Sequence, residues 1–267
     1  MLFEQVAVSI DRMTTIEPGR SAPRKKIGKQ KIAAIEAVIS NRTLQPVFQP
    51  IYALNTGKVF GFEVLTRLED ENFTTVPEIF DAAVQIERVG DLGRLQRTLS
   101  VKLAPPKPLF VNVHPAEFDY PLLVRPDDPL FRHPEDVYLE ITESAPLSYF
   151  EQCTNVLGEL RKKGIRVAVD DFGAGFSNVK YIADLAPDIV KLDRDLISGV
   201  REGTRQFKLL MSIVRLCNDM GARVVAEGIE TAGELVVAER AGVDFCQGFL
   251  LGKPASDARE EEWPAFR

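Results

Sequence analysis

The sequence predicts an α/β fold closed into an irregular (β/α)8 barrel with one antiparallel strand. Three observations lead there. From Leu109 onward, strand-like and helix-like stretches alternate, the pattern of a parallel α/β architecture. About eight strands fit within one domain-sized chain of 267 residues, which favours closure over an open sheet. Two earlier strands are joined by a connection short enough to indicate antiparallel pairing, which gives the barrel one reversed strand.

Taken in order, residues 1–30 lack the pattern of a core element and read as an arm or linker. Within it, Arg20 to Lys31 carries six basic residues and no acidic one, a solvated segment first and an anion-attracting surface second. The spacing of Ile32, Ile35, Val38 and Ile39 predicts a helix. Strands follow at 47–53 and 58–67, with Asn55-Thr56-Gly57 as the turn between them. Helices are predicted at 77–88 and 91–102, the first opened by Pro77. Leu109 to Val113 is a strand, and the proline-rich run 116–133 is a loop with short turns. Next come a strand at 137–142 and a helix at 147–163, closed by Gly164. A strand starts at Ile165, a short helix spans 179–185 and stops before Pro187, and a strand covers 188–192. A helix at 204–220, a strand at 223–226, a helix at 231–241 and a strand at 244–249 complete the set. Residues 259–267 are read as a tail.

Composition narrows the function. A net charge of −6 argues against DNA or RNA as a general partner, but not against a small anion held through metal ions. The three cysteines, Cys153, Cys217 and Cys246, lack zinc-site spacing and read as buried free thiols of a cytoplasmic protein. No apolar run approaches the roughly 18 residues of a membrane span, and the N-terminus lacks the plan of a secretory signal.

The chemistry sits in the strands. Seven of them carry, in the strand or at its end, a polar residue that interrupts an apolar run: Glu63, Asn112, Glu140, Asp170 with Asp171, Lys191, Glu227 and Gln247. A buried carboxylate without a partner costs several kcal/mol, so this many by chance is not credible. In a barrel they converge on the C-terminal mouth, where barrel active sites are built. Clustered acids stay ionised together only with cations between them. The candidate donors are all oxygens, which selects Mg2+ or Mn2+ over Zn2+. Two such ions commonly serve phosphodiester hydrolysis.

The stretches EVLTR (63–67), VNV (111–113), EITE (140–143), DDFGAGFS (170–177), KLD (191–193), VVAEGIET (224–231) and QGFLLGKP (247–254) occur in order. Together they resemble the EAL domain family, the bacterial cyclic di-GMP-specific phosphodiesterases, over Leu44 to Pro254. The resemblance implies a TIM-like barrel spanning 31–258 and hydrolysis of cyclic di-GMP to the linear diguanylate, with Ca2+ inhibitory. It implies that Glu63, Asn112, Glu140 and Asp170 hold one metal. Asp170 then bridges to a second, which Asp171 binds, with Glu227 as general base or second-metal partner. Lys191 would orient the attacking water, and Gln247 would support the metal site. Arg67, Gln49 and Asp193 would contact substrate, and Glu143 would steady the glycine-rich loop after Asp171. That loop is associated with dimerisation in the family, which implies a homodimer, and an upstream regulatory module or partner is compatible with the family.

Plainer roles stand beside these. Arg67 can pair with Glu69 or Asp70, Asp193 with Lys191, and Glu230 can lie on a solvated helix start. His114 and His133 have no evident role. Val64, Thr66, Phe176 and Asn178 depart from the family's usual alanine, leucine, tyrosine and serine. Val64 should face away from Glu63, which makes it a packing change. No metal or catalytic position is lost. The alternatives to an enzyme are a catalytically silent cyclic di-GMP receptor and a protein-interaction regulator.

Overall fold

The computed structural model describes residues 27–142, 147–174, 180–258 and Trp263. Eight strands form one closed barrel in chain order: β1 (Gln45–Ala53), β2 (Lys58–Arg67), β3 (Leu109–Asn112), β4 (Val137–Thr142), β5 (Arg166–Phe172), β6 (Ile189–Leu192), β7 (Arg223–Ala226) and β8 (Phe245–Cys246). The reversed strand is β1, antiparallel to β2 on one side and to β8 on the other. The remaining neighbours pair in parallel. Seven helices accompany them among the described residues: α1 (Lys29–Asn41), α2 (Val76–Gln85), α3 (Val89–Leu103), α4 (Leu147–Lys162), α5 (Lys180–Leu185), α6 (Arg205–Asp219) and α7 (Ala232–Ala241).

Local chemistry accounts for three of the helix starts. Thr75, Thr204 and Thr231 each accept a hydrogen bond from a first-turn amide of α2, α6 and α7. Thr231 and Glu234 form a full capping box. The predicted loop 116–133 contains two 3-10 turns, Pro115–Asp119 and Pro129–Arg132. His114, assigned no role from sequence, caps the first: its Nδ1 accepts from the Ala116 amide at 3.2 Å. The strand expected at 244–249 shrinks to two residues. The chain turns at Gly248, where a side chain would collide with the backbone of Ile229.

The barrel interior is built in layers, because strand side chains repeat every two residues. The lower layer is apolar: Ile51, Phe110, Tyr138, Ala168, Ile189, Val225 and Phe245. Phe60 and Arg223 close it from below, with the Arg223 guanidinium 4.8 Å from the Phe245 ring centre and 3.0 Å from the Tyr138 hydroxyl. Helices pack outside against a second apolar shell. Cys217 and Cys246 are buried free thiols, and burial pushes them up to about 11 and about 12, so they are unreactive. The Cys153 side chain lies outside the described residues. Trp263 folds back on Tyr52, with ring centres 5.5 Å apart.

One buried ion cluster ties α3 to both 3-10 turns. The Arg97 guanidinium meets Glu117 at 2.5 Å and Asp128 at 3.1 Å, with all three side chains at most 1% exposed. Gly93 has no side chain because a Cβ there would fall on the Glu117 carboxylate. Burial raises the Glu117 pKa against the pull of Arg97. Arg97→Met strands two carboxylates in the interior. It should lower the unfolding free energy by about 3–5 kcal/mol, read by denaturant titration; a change below about 1 kcal/mol would mean the cluster is solvated.

Candidate active site

Two residues further along each parallel strand from the apolar layer lies a polar one. Asn112, Glu140, Asp170, Lys191, Glu227 and Gln247 stand two positions after Phe110, Tyr138, Ala168, Ile189, Val225 and Phe245. On reversed β1 the order inverts, and Gln49 stands two before Ile51. Strand β2 adds Glu63. The strand period thus stacks one polar layer on one apolar layer at the C-terminal mouth.

Lys191 is the hub. Its ammonium, 1% exposed, lies 2.7 Å from Glu140, 2.8 Å from Glu227, 2.9 Å from Asp170 and 3.3 Å from Glu63. Burial works against its charge, but the carboxylates of Asp170, Glu140, Glu227 and Glu63 prevail and raise its pKa well above the usual lysine value. Burial pushes the Glu140 and Glu227 carboxyls far up despite Lys191, with help from Glu63 and Asp170. The acid cluster is therefore undercompensated, and Glu140 Oε2 has no hydrogen-bond partner among the described residues.

Asp171 joins the cluster through a backbone irregularity. Adjacent strand residues face opposite ways, so Asp170 and Asp171 should diverge. The β5–β6 register shifts between Val169 and Phe172, and Asp171 takes a left-handed φ of 55°. This brings carboxylate oxygens of Asp170, Asp171 and Glu227 within 4.8 Å of one another. Glu63, Glu140 and Asp170 form a second such trio. Asp170 belongs to both. All five donors are carboxylates, and the set fits hard divalent cations. Partial burial, then the charge of Asp170, pushes the Asp171 carboxyl up to about 6.

A chain of amides fixes Glu63. Gln247 Nε2 donates to Glu63 Oε2 at 2.6 Å and to Gln49 Oε1 at 3.1 Å. Gln49 Nε2 donates to the Gly252 carbonyl at 3.1 Å. Asn112 Nδ2 donates to the other Glu63 oxygen at 3.3 Å. The segment after β8 closes over β1, pairing Ala255 with Phe48. Its Pro254 carbonyl accepts from Arg67 at 3.2 Å, so Arg67 is held by this segment and not by Glu69 or Asp70. Asp193 does not reach Lys191; its carboxylate accepts from the Asp195 amide at 2.8 Å and caps the 3-10 turn Arg194–Leu196. Glu143, Phe176 and Asn178 lie outside the described residues.

Two cavities flank the cluster. One, of about 340 Å3, has apolar walls from Val64, Val76, Phe80 and Val113, with Asn112 and Gln96 among its polar groups. The other, of about 240 Å3, is lined by Gln49, Glu63, Arg194, Glu227, Gln247 and Phe249. Gln96, Arg194 and Phe249 were not singled out from sequence. Gln96 had a signal, as an uncharged polar residue on the buried stripe of α3 between Leu92, Leu95 and Ser100.

A model of the EAL domain matches residues 32–254. The chain belongs to the EAL domain family. Among curated relatives, it is 32% identical over 241 residues to an uncharacterized protein of Azorhizobium caulinodans, covering 82% of this chain and 33% of that one. It is 27% identical over 266 residues to the cyclic di-GMP phosphodiesterase RocR of Pseudomonas aeruginosa, covering 92% and 68%. The chain thus spans from about a third to two thirds of these relatives' length. Among solved structures it resembles Klebsiella pneumoniae BlrP1 in a manganese and cyclic di-GMP complex, with a TM-score of 0.71 and 29% identity, covering 84% of this chain and 59% of that one. Other EAL domain structures share the same barrel, so the TIM-like fold is the family's.

The raised carboxyls set a pH dependence. A carboxylate must be ionised to ligate a cation, and a raised pKa keeps it protonated to higher pH. Mn2+ affinity should therefore fall with pH, by about tenfold per pH unit for each proton displaced, with the Asp171 part of the loss near pH 6. Calorimetric Mn2+ titrations from pH 8 to pH 5 check this, with Asp171→Asn expected to flatten the profile. An affinity constant across that range would exclude these groups as ligands.

Proposed function

We propose that this EAL domain hydrolyses one phosphodiester bond of cyclic di-GMP to the linear diguanylate pGpG, using Mg2+ or Mn2+. The observation that carries this reading is the complete carboxylate set around Lys191. Five carboxylates against one ammonium leave a formal charge of −4, which two divalent cations would neutralise. Glu63, Asn112, Glu140 and Asp170 would hold one ion, and Asp170, Asp171 and Glu227 the other. When bound, the ions supply Lewis acidity at the phosphodiester and favour ionisation of the attacking water.

The protein's own groups do the positioning. Lys191 orients the water from the centre of the cluster. Glu227, with its oxygen 2.8 Å from the Lys191 ammonium, takes the water's proton or completes the second ion's ligands. Attack at phosphorus breaks one P–O bond, leaving a phosphate monoester on one nucleotide and a hydroxyl on the other. Gln247 and Gln49 hold Glu63 in the ligating rotamer. Arg67 reaches a substrate phosphate from the outer end of β2. The 340 Å3 cavity offers apolar walls for a base and Gln96 to meet its polar edge. RocR carries this activity in its name, and the BlrP1 structure pairs the dinucleotide with manganese.

The test is product formation from cyclic di-GMP with Mg2+, with Mn2+ and with neither, beside Glu63→Ala. Linear product should require metal and fall at least about a hundredfold in the variant. Tight binding of the dinucleotide without product under every condition would replace the enzyme by a receptor.

A further inference from the structure

Arg194 lines the same cavity as Glu63 and Glu227, and among the described residues no other basic side chain does. Its placement is set by its neighbours. Lys191 at the end of β6 turns inward, and Asp193 caps the 3-10 turn that follows, so Arg194 projects across the mouth. There its stem lies on Gly228, the residue after Glu227. A Cβ at Gly228 would come within 2.6–2.9 Å of Arg194 Cβ, Cγ and Cδ. Gly228 also holds a left-handed φ of 65°, so the site suits glycine on two counts. The stem is seated, and the guanidinium extends beyond it to Glu230, forked through two 2.7 Å contacts.

We propose that Arg194 is a substrate-binding residue that exchanges Glu230 for the non-bridging oxygens of a substrate phosphate. The proposal rests on the phosphodiesterase reading above. A guanidinium fork matches a phosphate as well as it matches a carboxylate. The resident partner is easily given up, because the pair is 47% and 38% exposed and exposed ion pairs are weak. Glu230, once released, stays favoured where it is. It immediately precedes Thr231, the N-cap of α7, where the helix dipole favours a negative charge. The remaining ionisable groups lining this cavity are carboxylates, so an anionic ligand has one fixed cation of the wall to meet. The forked pair thus keeps the guanidinium aligned at the mouth until a phosphate arrives.

Steady-state hydrolysis of cyclic di-GMP with Mn2+, and calorimetric binding of it with Ca2+ in place of Mn2+, should be compared for the unsubstituted chain, Arg194→Gln, Arg194→Lys and Glu230→Gln. Arg194→Gln should raise KM and Kd at least tenfold with kcat within twofold. Arg194→Lys should restore part of the affinity, and Glu230→Gln should keep or tighten it. Unchanged KM and Kd in Arg194→Gln, or a loss confined to kcat, would overturn the proposal. Equal weakening in Glu230→Gln would refute the exchange and make the pair a fixed strut. If the unsubstituted chain binds without turnover, the enzyme reading fails and the Kd comparison still decides Arg194. If it does not bind, both fall.

Discussion

One buried ammonium shared among carboxylates is the constraint on which this structure depends. Lys191 touches four acids, and Asp171 adds a fifth at the edge. Such a cluster is unfavourable in isolation, since each ion loses hydration and like charges crowd together. Burial raises Glu140 and Glu227, so these carboxyls hold a proton more readily than free ones do. Such an arrangement suits added cations, as the proposed two-ion site requires. The amide chain from Glu63 through Gln247 and Gln49 to Gly252 fixes one of these acids against its like-charged neighbours.

The barrel makes the cluster possible by register. An apolar layer seals the interior below, and two residues along each parallel strand the polar layer begins. The reversed β1 obeys the same geometry with its sequence read backward, which is why Gln49 precedes Ile51. Only Asp171 breaks the period. The bulge and the left-handed φ at that residue turn two adjacent carboxylates toward one place.

Much of this was legible in the sequence. Strand β2 was predicted with its observed bounds, and the alternation after Leu109 led directly to the barrel. The polar interruptions of apolar strands named the acid cluster, because a charge in a buried strand is costly unless it meets a partner or a ligand. What was not legible depends on three-dimensional closure. No local pattern links Gln49 to Gly252 or Arg67 to Pro254, since those bonds span 203 and 187 residues. Asp193 looked like a partner for Lys191 because the two are near neighbours on one strand end, but its short side chain is used by the backbone of the next turn. Glu230 read as a charge on a solvated helix start and Arg194 carried no local signal; only the fold places them across one mouth.

The most direct test of the central claim is a metal count. The purified chain, stripped with chelator and dialysed against Mn2+ at pH 7.5, should retain about two ions per chain, as a shared-carboxylate site implies. Its thermal unfolding should move upward with the loading. Retention near zero, with no change in unfolding, would mean that Lys191 and protons alone balance the five carboxylates and that the cluster is no cation site.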